Sequence, residues 1–333
     1  MEYTRMTPAQ LAAEKEIVSR RFEELKARGL KLDMSRGKPG KVQLDLVSDI
    51  LTVLNDPAQC QVEGLDVRNY GELTGLPAAK RLFAEILGCR PEECFIGGNA
   101  SLTLMYDTIA KAYTHGLLHS EKPWARLDKV KFLCPAPGYD RHFKISQSFG
   151  MELITIEMTP TGPDMDAVEA YVKDPAVKGI WCVPKYSNPT GITFSEDTVR
   201  RLVEMPTAAP DFRIFWDNAY CVHDLYDETD ELANIFDLAR AAGTEDRVVA
   251  FASTSKITFP GAGIGFIGAS PAVIAEFSKR LKAGLISADK LNQLRHVRFL
   301  PTIEAVKEHM KKHAEFLRPR FEACLLYTSP SPR

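Results

Sequence analysis

Short apolar runs alternate with helix-like segments along most of the chain after about residue 95. The apolar runs are rich in β-branched and aromatic residues, and they read "VKFLC", "MELITIEM", "VKGIWCVP", "FRIFWD", "RVVAFAS" and "GIGFIGAS". Segments with helical periodicity, such as "EDTVRRLVEM" and "ELANIFDLARAAG", separate most of them. Strands that alternate with helices predict an α/β fold in which a mostly parallel central sheet carries helices on both faces.

An amphipathic helix is predicted in the N-terminal segment "MTPAQLAAEKEIVSRRFEELKARG". Thr7 is a suitable N-cap, Pro8 occupies the first helical position, Gln10 completes a capping box and Gly29 ends the pattern. The glycines and the proline of the following "LKLDMSRGKPG" predict a loop.

Three of the predicted strands lead directly into polar residues. "GIWCVP" runs into "KYSNPTG", "FRIFWD" ends on Asp217 and continues as "NAY", and "VVAFAS" runs into "TSK". Ligands of parallel sheets bind beyond the carboxyl ends of the strands, so Asn188, Asp217 and Lys256 should meet at one edge. Lys256 alone would fit an ordinary strand-end lysine that reaches solvent, but three converging polar residues predict a site.

Two further motifs fit either a functional site or an ordinary structural element. "FIGGNASLTLMYDTI" reads as a turn that opens a helix after a short strand. The backbone N–H groups of Asn99, Ala100 and Ser101 would suit an anion such as phosphate, although a plain strand-to-helix turn has the same pattern. "HMKKH" places His309 and His313 one helical turn apart without the glutamate of H-E-x-x-H, so we expect a solvated helix face and no metal site.

Composition and charge narrow the classes of partner. The 333 residues are 45% hydrophobic, and 42 basic against 44 acidic residues leave a net charge of −2, which favours neither nucleic acid nor an anionic membrane. Seven cysteines without a C-x-x-C pair fit reduced thiols in the cytoplasm. No signal peptide and no apolar run of ~20 residues is evident. We therefore expect a cytoplasmic protein whose partners are small molecules or copies of itself.

The three strand-end residues are those that pyridoxal phosphate requires. A lysine such as Lys256 forms a Schiff base with an aldehyde cofactor, and a carboxylate such as Asp217 keeps the ring nitrogen protonated. Asn188 and Tyr220 are of the right type to contact the phenolic oxygen. Hydroxyl and amide donors for the phosphate are offered by Ser253, Ser255 and the turn at Asn99, Ala100 and Ser101.

The ordered set "NPTG", "DNAY" and "STSK" resembles the fold-type I pyridoxal-phosphate aminotransferases. Asp217 follows Asn188 by 29 residues and Lys256 follows Asp217 by 39, which is similar to the spacing in that family. "NPTG" alone is a weak signal, whereas the ordered triplet is specific. The motifs "SRGKP", "GGNAS", "PGYDRHF", "WDNAY" and "STSKITFPGAG" look closest to a bacterial subgroup of aspartate aminotransferases, and the resemblance spans about residues 30–320.

The resemblance implies roles for further residues. Lys256 would shuttle a proton as well as carry the cofactor. Tyr139 in "CPAPGYDRH" would stack on the cofactor ring, and Tyr70 in "NYGELTGLPAAKRLF" would reach the phosphate of a neighbouring subunit's cofactor, which implies a homodimer. Gly37 would approach the substrate carboxylate together with Asn188. One departure is that Gly263 stands nearest to the position where the family has a phosphate-binding arginine.

The resemblance also implies a domain organisation. Residues 1–45 would belong to a small domain, 46–290 would form the large cofactor domain, 291–323 would begin the C-terminal part of the small domain, and 324–333 would be an atypical tail. Only 77 residues follow Lys256, fewer than the family uses. We therefore expect a fragment that lacks the arginine for the substrate's α-carboxylate, with foreign residues from about Cys324. Arg318 and Arg320 lie too early to replace that arginine.

Several functions remain open on the residues alone. Amino transfer from an α-amino acid, with aspartate or glutamate as one partner, to a 2-oxo acid is the leading hypothesis. Decarboxylation, elimination or racemisation would use the same scaffold, and aminotransferase-like domains also serve as ligand sensors in regulators. The last is disfavoured because no winged helix or basic stripe precedes the fold. A distal substrate carboxylate would find a partner in Arg36, Lys38 or Arg141, each of which equally fits an ordinary surface charge.

Overall fold

An eight-stranded mixed sheet forms the centre of the computed structural model, which describes residues 3–31 and 37–328. The strands are β1 Gln61–Val62, β2 Leu65–Asp66, β3 Cys94–Ile96, β4 Lys131–Ala136, β5 Glu152–Thr159, β6 Gly162–Pro163, β7 Val177–Cys182, β8 Arg213–Asp217, β9 Val248–Ser253 and β10 Gly265–Ala269. The main sheet has the order β3-β10-β9-β8-β7-β4-β5-β6, and β1 and β2 form a separate hairpin.

All six apolar runs form strands, as the sequence predicted. The five central strands β9, β8, β7, β4 and β5 are parallel, whereas β10 runs antiparallel to both β9 and β3. The antiparallel β10 follows β9 after a short turn, so this connection needs no crossover helix. That turn carries Lys256.

Helices cover both faces of the sheet. They are α1 Pro8–Ala27, α2 Lys41–Asp45, α3 Pro77–Leu87, α4 Ser101–His115, α5 Asp140–Ser148, α6 Met165–Tyr171, α7 Glu196–Glu204, α8 Ile235–Ala242, α9 Pro271–Leu281, α10 Lys290–Phe299 and α11 Ile303–Thr328. Successive residues of a strand point to opposite faces. Accordingly, Ile214 and Trp216 of β8 join the core with α3, α7, α8, α10 and α11, while Phe215 joins the core with α4, α5 and α9.

The N-terminal helix begins as predicted but buries none of its residues against the rest of the described chain. The hydroxyl oxygen of Thr7 accepts a hydrogen bond from the Gln10 backbone N–H, and the Thr7 backbone N–H donates to the side-chain oxygen of Gln10. Pro8 is the first helical residue. None of the residues of α1 is buried, and its apolar side chains such as Phe22 are exposed. The apolar face that the sequence predicted for this helix is therefore not buried within the described part of the chain.

Two expectations about the C-terminal segment were wrong. His309 and His313 are buried rather than solvated, because the face of α11 that carries them packs against the turn after β9. Residues 324–333 were expected to form an atypical tail outside the helical pattern, but α11 continues through Cys324 to Thr328. No helix in the described part of the chain is both long enough and apolar enough to cross a bilayer. The domain boundaries remain predictions.

Candidate active site

The carboxyl ends of β7, β8 and β9 lie side by side because the three strands are parallel neighbours. Asp217 is the last residue of β8, and Lys256 ends a single helical turn, Thr254–Lys256, that follows β9. The backbone N–H of Asn218 donates to the Phe251 carbonyl at 2.8 Å and ties the two strand ends together. The structure thus places the aspartate and the lysine segments at the same edge of the sheet.

The Lys256 side chain extends over the aromatic ring of Tyr220. Its Nζ lies 4.4 Å from the ring centroid, within the range of a cation–π interaction. The lysine side chain is exposed, whereas the tyrosine is half-buried. His223 also contacts the Tyr220 ring edge-on, and both of its ring nitrogens are shielded from solvent without a hydrogen-bond partner. The two predicted catalytic side chains Lys256 and Tyr220 are therefore in direct contact.

Asp217 is almost fully buried and uses only one of its two carboxylate oxygens. Oδ2 accepts a hydrogen bond from Nε2 of His142 at 2.9 Å, and Oδ1 is buried without a partner. The His142 ring stacks on Trp181 at a centroid distance of 4.6 Å, which fixes its direction. Buried carboxylate oxygens normally accept hydrogen bonds, so an unpaired Oδ1 marks a place where a donor is missing.

Sequence reasoning did not assign a role to His142, although it lies in the motif "PGYDRHF". It is in the first turn of α5, three residues after Tyr139, whose ring meets the imidazole edge-on at 5.1 Å. Burial raises the pKa of the Tyr139 hydroxyl, and the Asp217 carboxylate adds to that effect, while Arg141 opposes it. Because its charge acts on Tyr139, Arg141 lies close to the site, and it was one of the cations considered for a distal carboxylate.

The residues predicted to hold a phosphate come together around two glycines. Ser253 and Ser255 have their hydroxyl oxygens 3.0 Å apart at the end of β9. A Cβ on Gly263 would lie 3.1 Å from the carbonyl oxygen of Asn99 and 3.3 Å from the backbone nitrogen of Ser255. The side chain of Asn99 also donates to the Pro260 carbonyl at 3.5 Å. The turn before α4 and the turn after β9 therefore meet through their backbones.

Ala100 and Ser101 complete this group at the start of α4. Ala100 is the N-cap of the helix, Ser101 is its first residue, and no side chain caps the helix end. A Cβ on Gly265 would lie 2.7 Å from the Ala100 carbonyl carbon, so the two segments touch directly. Free N–H groups at a helix end bind anions readily, so this end of α4 is suited to hold a phosphate.

The other predicted residues that the structure describes make no hydrogen bond to these side chains. Tyr70 is 80% exposed, and Gly37 has no atom within 4 Å of its Cβ position. Asn188 is half-buried in the loop after β7, and its peptide bond to Pro189 is cis. Lys38 is exposed, and Arg36 lies outside the described residues. Within residues 3–31 and 37–328, no three His, Cys, Asp or Glu side chains are placed to hold a metal ion.

Acid should destabilise the protein through three buried histidines and the half-buried His223, whose ring nitrogens are shielded from solvent. Burial lowers the pKa of His223 to about 3 and those of His296 and His313 to about 4, and it also lowers that of His309. In the unfolded chain these groups bind protons near pH 6.5, so the unfolded state takes up more protons between pH 6.5 and 4. The free energy of unfolding should fall over that window by about 1.4 kcal/mol per pH unit for each proton.

Urea unfolding at pH 7.5 and at pH 5.0 checks this expectation. His313→Asn should lose less stability between the two pH values than the unchanged chain does. The matched control is His115→Asn, since His115 is exposed and should leave the pH dependence unaltered. Equal pH dependence in all three proteins would show that the buried imidazoles do not cause the acid sensitivity.

Comparison with known proteins gives a consistent set of relatives. A family model described as aspartate amino-transferase matches residues 6–329. An aspartate aminotransferase of Corynebacterium glutamicum is 46% identical over 310 residues, which are 93% of this chain and 72% of that protein. A crystal structure of an aspartate transaminase from the same species superposes with a TM-score of 0.88 at 44% identity, covering 95% of this chain and 75% of that one.

A more distant structure shows the same fold. The α-aminoadipate aminotransferase of Thermus thermophilus, solved in complex with N-(5′-phosphopyridoxyl)-L-leucine, superposes with a TM-score of 0.67 at 21% identity. The match covers 89% of this chain and 71% of that one. The fold described above is therefore the one in which that protein holds a phosphopyridoxyl group.

Proposed function

The chain belongs to the aspartate aminotransferase family, and on that premise we propose that it moves an amino group from aspartate or glutamate to a 2-oxo acid. Aminotransferase activity follows from the family, whereas the identity of the amino acid and the roles of the residues below are our proposal. The main support for the proposal is the buried Asp217, which has one carboxylate oxygen hydrogen-bonded to His142 and the other without a partner. Lys256, at the same edge of the sheet, lies over the ring of Tyr220.

The cofactor implied by the family is pyridoxal phosphate, and the residues present fit it. Its protonated ring nitrogen is a donor of the kind that the unpaired Oδ1 of Asp217 requires, and the negative charge of the carboxylate would keep that nitrogen protonated. When bound, the cofactor withdraws electrons from the bonds at the substrate's α-carbon. His142 would hold the carboxylate in place through its other oxygen.

Lys256 and Tyr220 would act at the reacting end of the cofactor. The amine of Lys256 would bind the cofactor covalently and, once released by substrate, carry a proton to and from the α-carbon. The hydroxyl of Tyr220 and the amide of Asn188 would donate to the phenolic oxygen, and the ring of Tyr139 would stack on the cofactor. The phosphate would take its donors from Asn99, Ala100, Ser101, Ser253 and Ser255.

The two carboxylates of aspartate or glutamate would each need a partner in the site. Gly37 and Asn188 would contact the α-carboxylate, and Arg141, whose charge acts on Tyr139, would contact a distal carboxylate. Arg318 does not serve here, because its guanidinium donates two hydrogen bonds to the Leu225 carbonyl, at 2.9 and 3.1 Å.

A homodimer is proposed from the exposure of Tyr70. At 80% exposure, its ring is available to a neighbouring subunit, where it would reach the phosphate of that subunit's cofactor. The exposed apolar side chains of α1, such as Phe22, would also gain from burial against another surface. The cytoplasmic location expected from the cysteines likewise remains a prediction.

An assay with aspartate, 2-oxoglutarate and pyridoxal phosphate tests the proposed reaction. Oxaloacetate formation, followed with malate dehydrogenase and NADH, is the expected result. Release of carbon dioxide or ammonia, or conversion of L-aspartate to D-aspartate without oxaloacetate, would instead favour a decarboxylase, lyase or racemase on the same scaffold. Replacing aspartate with other amino acids in the same assay would rank the substrates.

Removing the His142 imidazole should slow the reaction without preventing folding. A hydrogen bond to a charged group is worth about 1.5–3 kcal/mol, so His142→Leu should lower kcat by about tenfold to a hundredfold. His142→Gln keeps a donor that can reach Asp217 and should retain more activity. Steady-state kinetics at saturating cofactor would measure both variants. Equal activities of Leu and Gln at this position would argue against a role for the hydrogen bond.

A further inference from the structure

The turn that carries Lys256 is held by helices that come later in the chain. We call residues 254–264 the lysine turn. On α11, Nε2 of His309 donates a hydrogen bond to the Ile257 carbonyl oxygen at 2.9 Å. This carbonyl belongs to the residue directly after the lysine, so α11 restrains the backbone next to Lys256.

Asn292 on α10 holds the far end of the lysine turn. Its Nδ2 donates to the carbonyl oxygens of Ala262 and Gly263, each at 3.1 Å. Backbone carbonyls in an irregular segment need partners outside a regular ladder, and here one side-chain amide supplies both. The residues before β10 are therefore fixed to α10.

His296 lies at the centre of these contacts and is almost fully buried. Its Nε2 lies 2.9 Å from Oγ1 of Thr258 and 3.1 Å from Oγ1 of Thr254. Oγ1 of Thr254 in turn accepts a hydrogen bond from the Ile264 backbone N–H at 2.9 Å. The beginning and the end of the lysine turn are thus joined through one threonine, and the imidazole holds that threonine in position.

The proton arrangement of His296 follows from its two neighbours. Nδ1 lies 2.8 Å from the carbonyl oxygen of Asn292 in the preceding helical turn, so Nδ1 carries the proton and donates. Nε2 is therefore the acceptor for a threonine hydroxyl. Burial lowers the pKa of His296 to about 4, with Arg295 adding to the effect and Asp289 opposing it, so the ring is neutral near pH 7.

We propose that His296 is a positioning residue for Lys256: its neutral imidazole accepts a hydrogen bond from a threonine hydroxyl and so holds the lysine turn in the conformation that directs the Lys256 side chain over Tyr220. The inference rests on the function proposed above, in which Lys256 is the reacting amine. His296 itself does not touch the site, because it is buried beneath the turn. Its effect passes through Thr254 and Thr258 to the backbone on both sides of the lysine.

Two substitutions of His296 distinguish a role in packing from a role in positioning the lysine turn. His296→Leu keeps the apolar packing and removes the acceptor, whereas His296→Gln places an amide oxygen near the former Nε2 and keeps it. If only packing matters, the leucine variant should behave at least as well as the glutamine variant. If the acceptor matters, glutamine should rescue what leucine loses.

Hydrogen exchange on the cofactor-free protein provides the decisive readout. In His296→Leu we expect the amides of residues 254–264 to exchange about tenfold faster, the factor that corresponds to one lost hydrogen bond. The amides of β8 should be unchanged, and His296→Gln should stay close to the original protein. In the aspartate assay, His296→Leu should lower kcat and leave KM for aspartate unaltered.

The outcomes separate the inference from the proposed function. Unchanged exchange in the lysine turn of His296→Leu, or equal acceleration in the leucine and glutamine variants, would overturn the inference whatever reaction the protein catalyses. If His296→Leu does not fold, Thr258→Val removes one hydroxyl donor at nearly constant volume and should give the same local acceleration. Faster exchange with no amino transfer in any variant would leave the positioning role intact and refute the proposed function.

Discussion

Replacing Lys256 with alanine should abolish the covalent linkage to pyridoxal phosphate and lower amino transfer by about four orders of magnitude, the upper range for a positioned proton-transfer group. The amine has two tasks in the proposed reaction, which are to hold the cofactor and to move the α-proton. Among the described residues, Lys256 is the only lysine whose amine lies over the Tyr220 ring. Borohydride reduction followed by peptide mass spectrometry would locate the linkage.

Lys279→Ala is the matched control for this experiment. Lys279 is an exposed lysine on α9, and its loss should leave both the reducible linkage and the turnover unchanged. A linkage that persists in Lys256→Ala would assign the cofactor to another lysine. Loss of the linkage in both variants would point to a general effect on folding, which far-ultraviolet circular dichroism would reveal.

Replacing Asp217 with alanine should slow α-proton abstraction by more than two orders of magnitude. The carboxylate is buried with one oxygen on His142, so in the proposed reaction its charge would act on the cofactor nitrogen with little screening by water. A loss of ~3 kcal/mol in transition-state stabilisation already exceeds a hundredfold in rate. Stopped-flow absorbance at saturating cofactor would measure the step directly.

The isosteric change Asp217→Asn separates charge from shape. Asparagine keeps an oxygen that can accept from the ring nitrogen but loses the charge, so its rate should also fall well below that of the original protein. Asp128→Asn, at an exposed carboxylate, should have no effect. Near-normal turnover of Asp217→Ala would show that another group keeps the cofactor nitrogen protonated.

Local patterns predicted the parts of the fold that depend on neighbouring residues. The capping box at Thr7 and Gln10 and the six apolar strands needed only sequence periodicity and turn chemistry. The convergence of Asp217 and Lys256 followed from the rule for parallel strands, since their strands β8 and β9 are direct neighbours. The antiparallel direction of β10 was not foreseen, because a strand's apolar pattern does not report its direction.

The contacts that sequence reasoning missed join residues far apart in the chain. His142 meets Asp217 across 75 positions, and His309 meets Ile257 across 52. A histidine among lysines, as in "HMKKH", has the local pattern of a solvated face, and only the packing of α11 onto the lysine turn buries it. Burial of a polar residue by tertiary packing leaves no periodic trace in the sequence.

The close approach of two backbones at Gly263 limits how this protein could be re-engineered. Transplanting the phosphate-binding arginine of other family members to this position would add a Cβ 3.1 Å from the Asn99 carbonyl and 3.2 Å from that of Phe259. Both neighbours are main-chain atoms, which cannot rotate away as a flexible side chain can. An arginine at position 263 would therefore have to displace main-chain atoms of both turns by a few tenths of an ångström, whereas glycine fits between them as they stand.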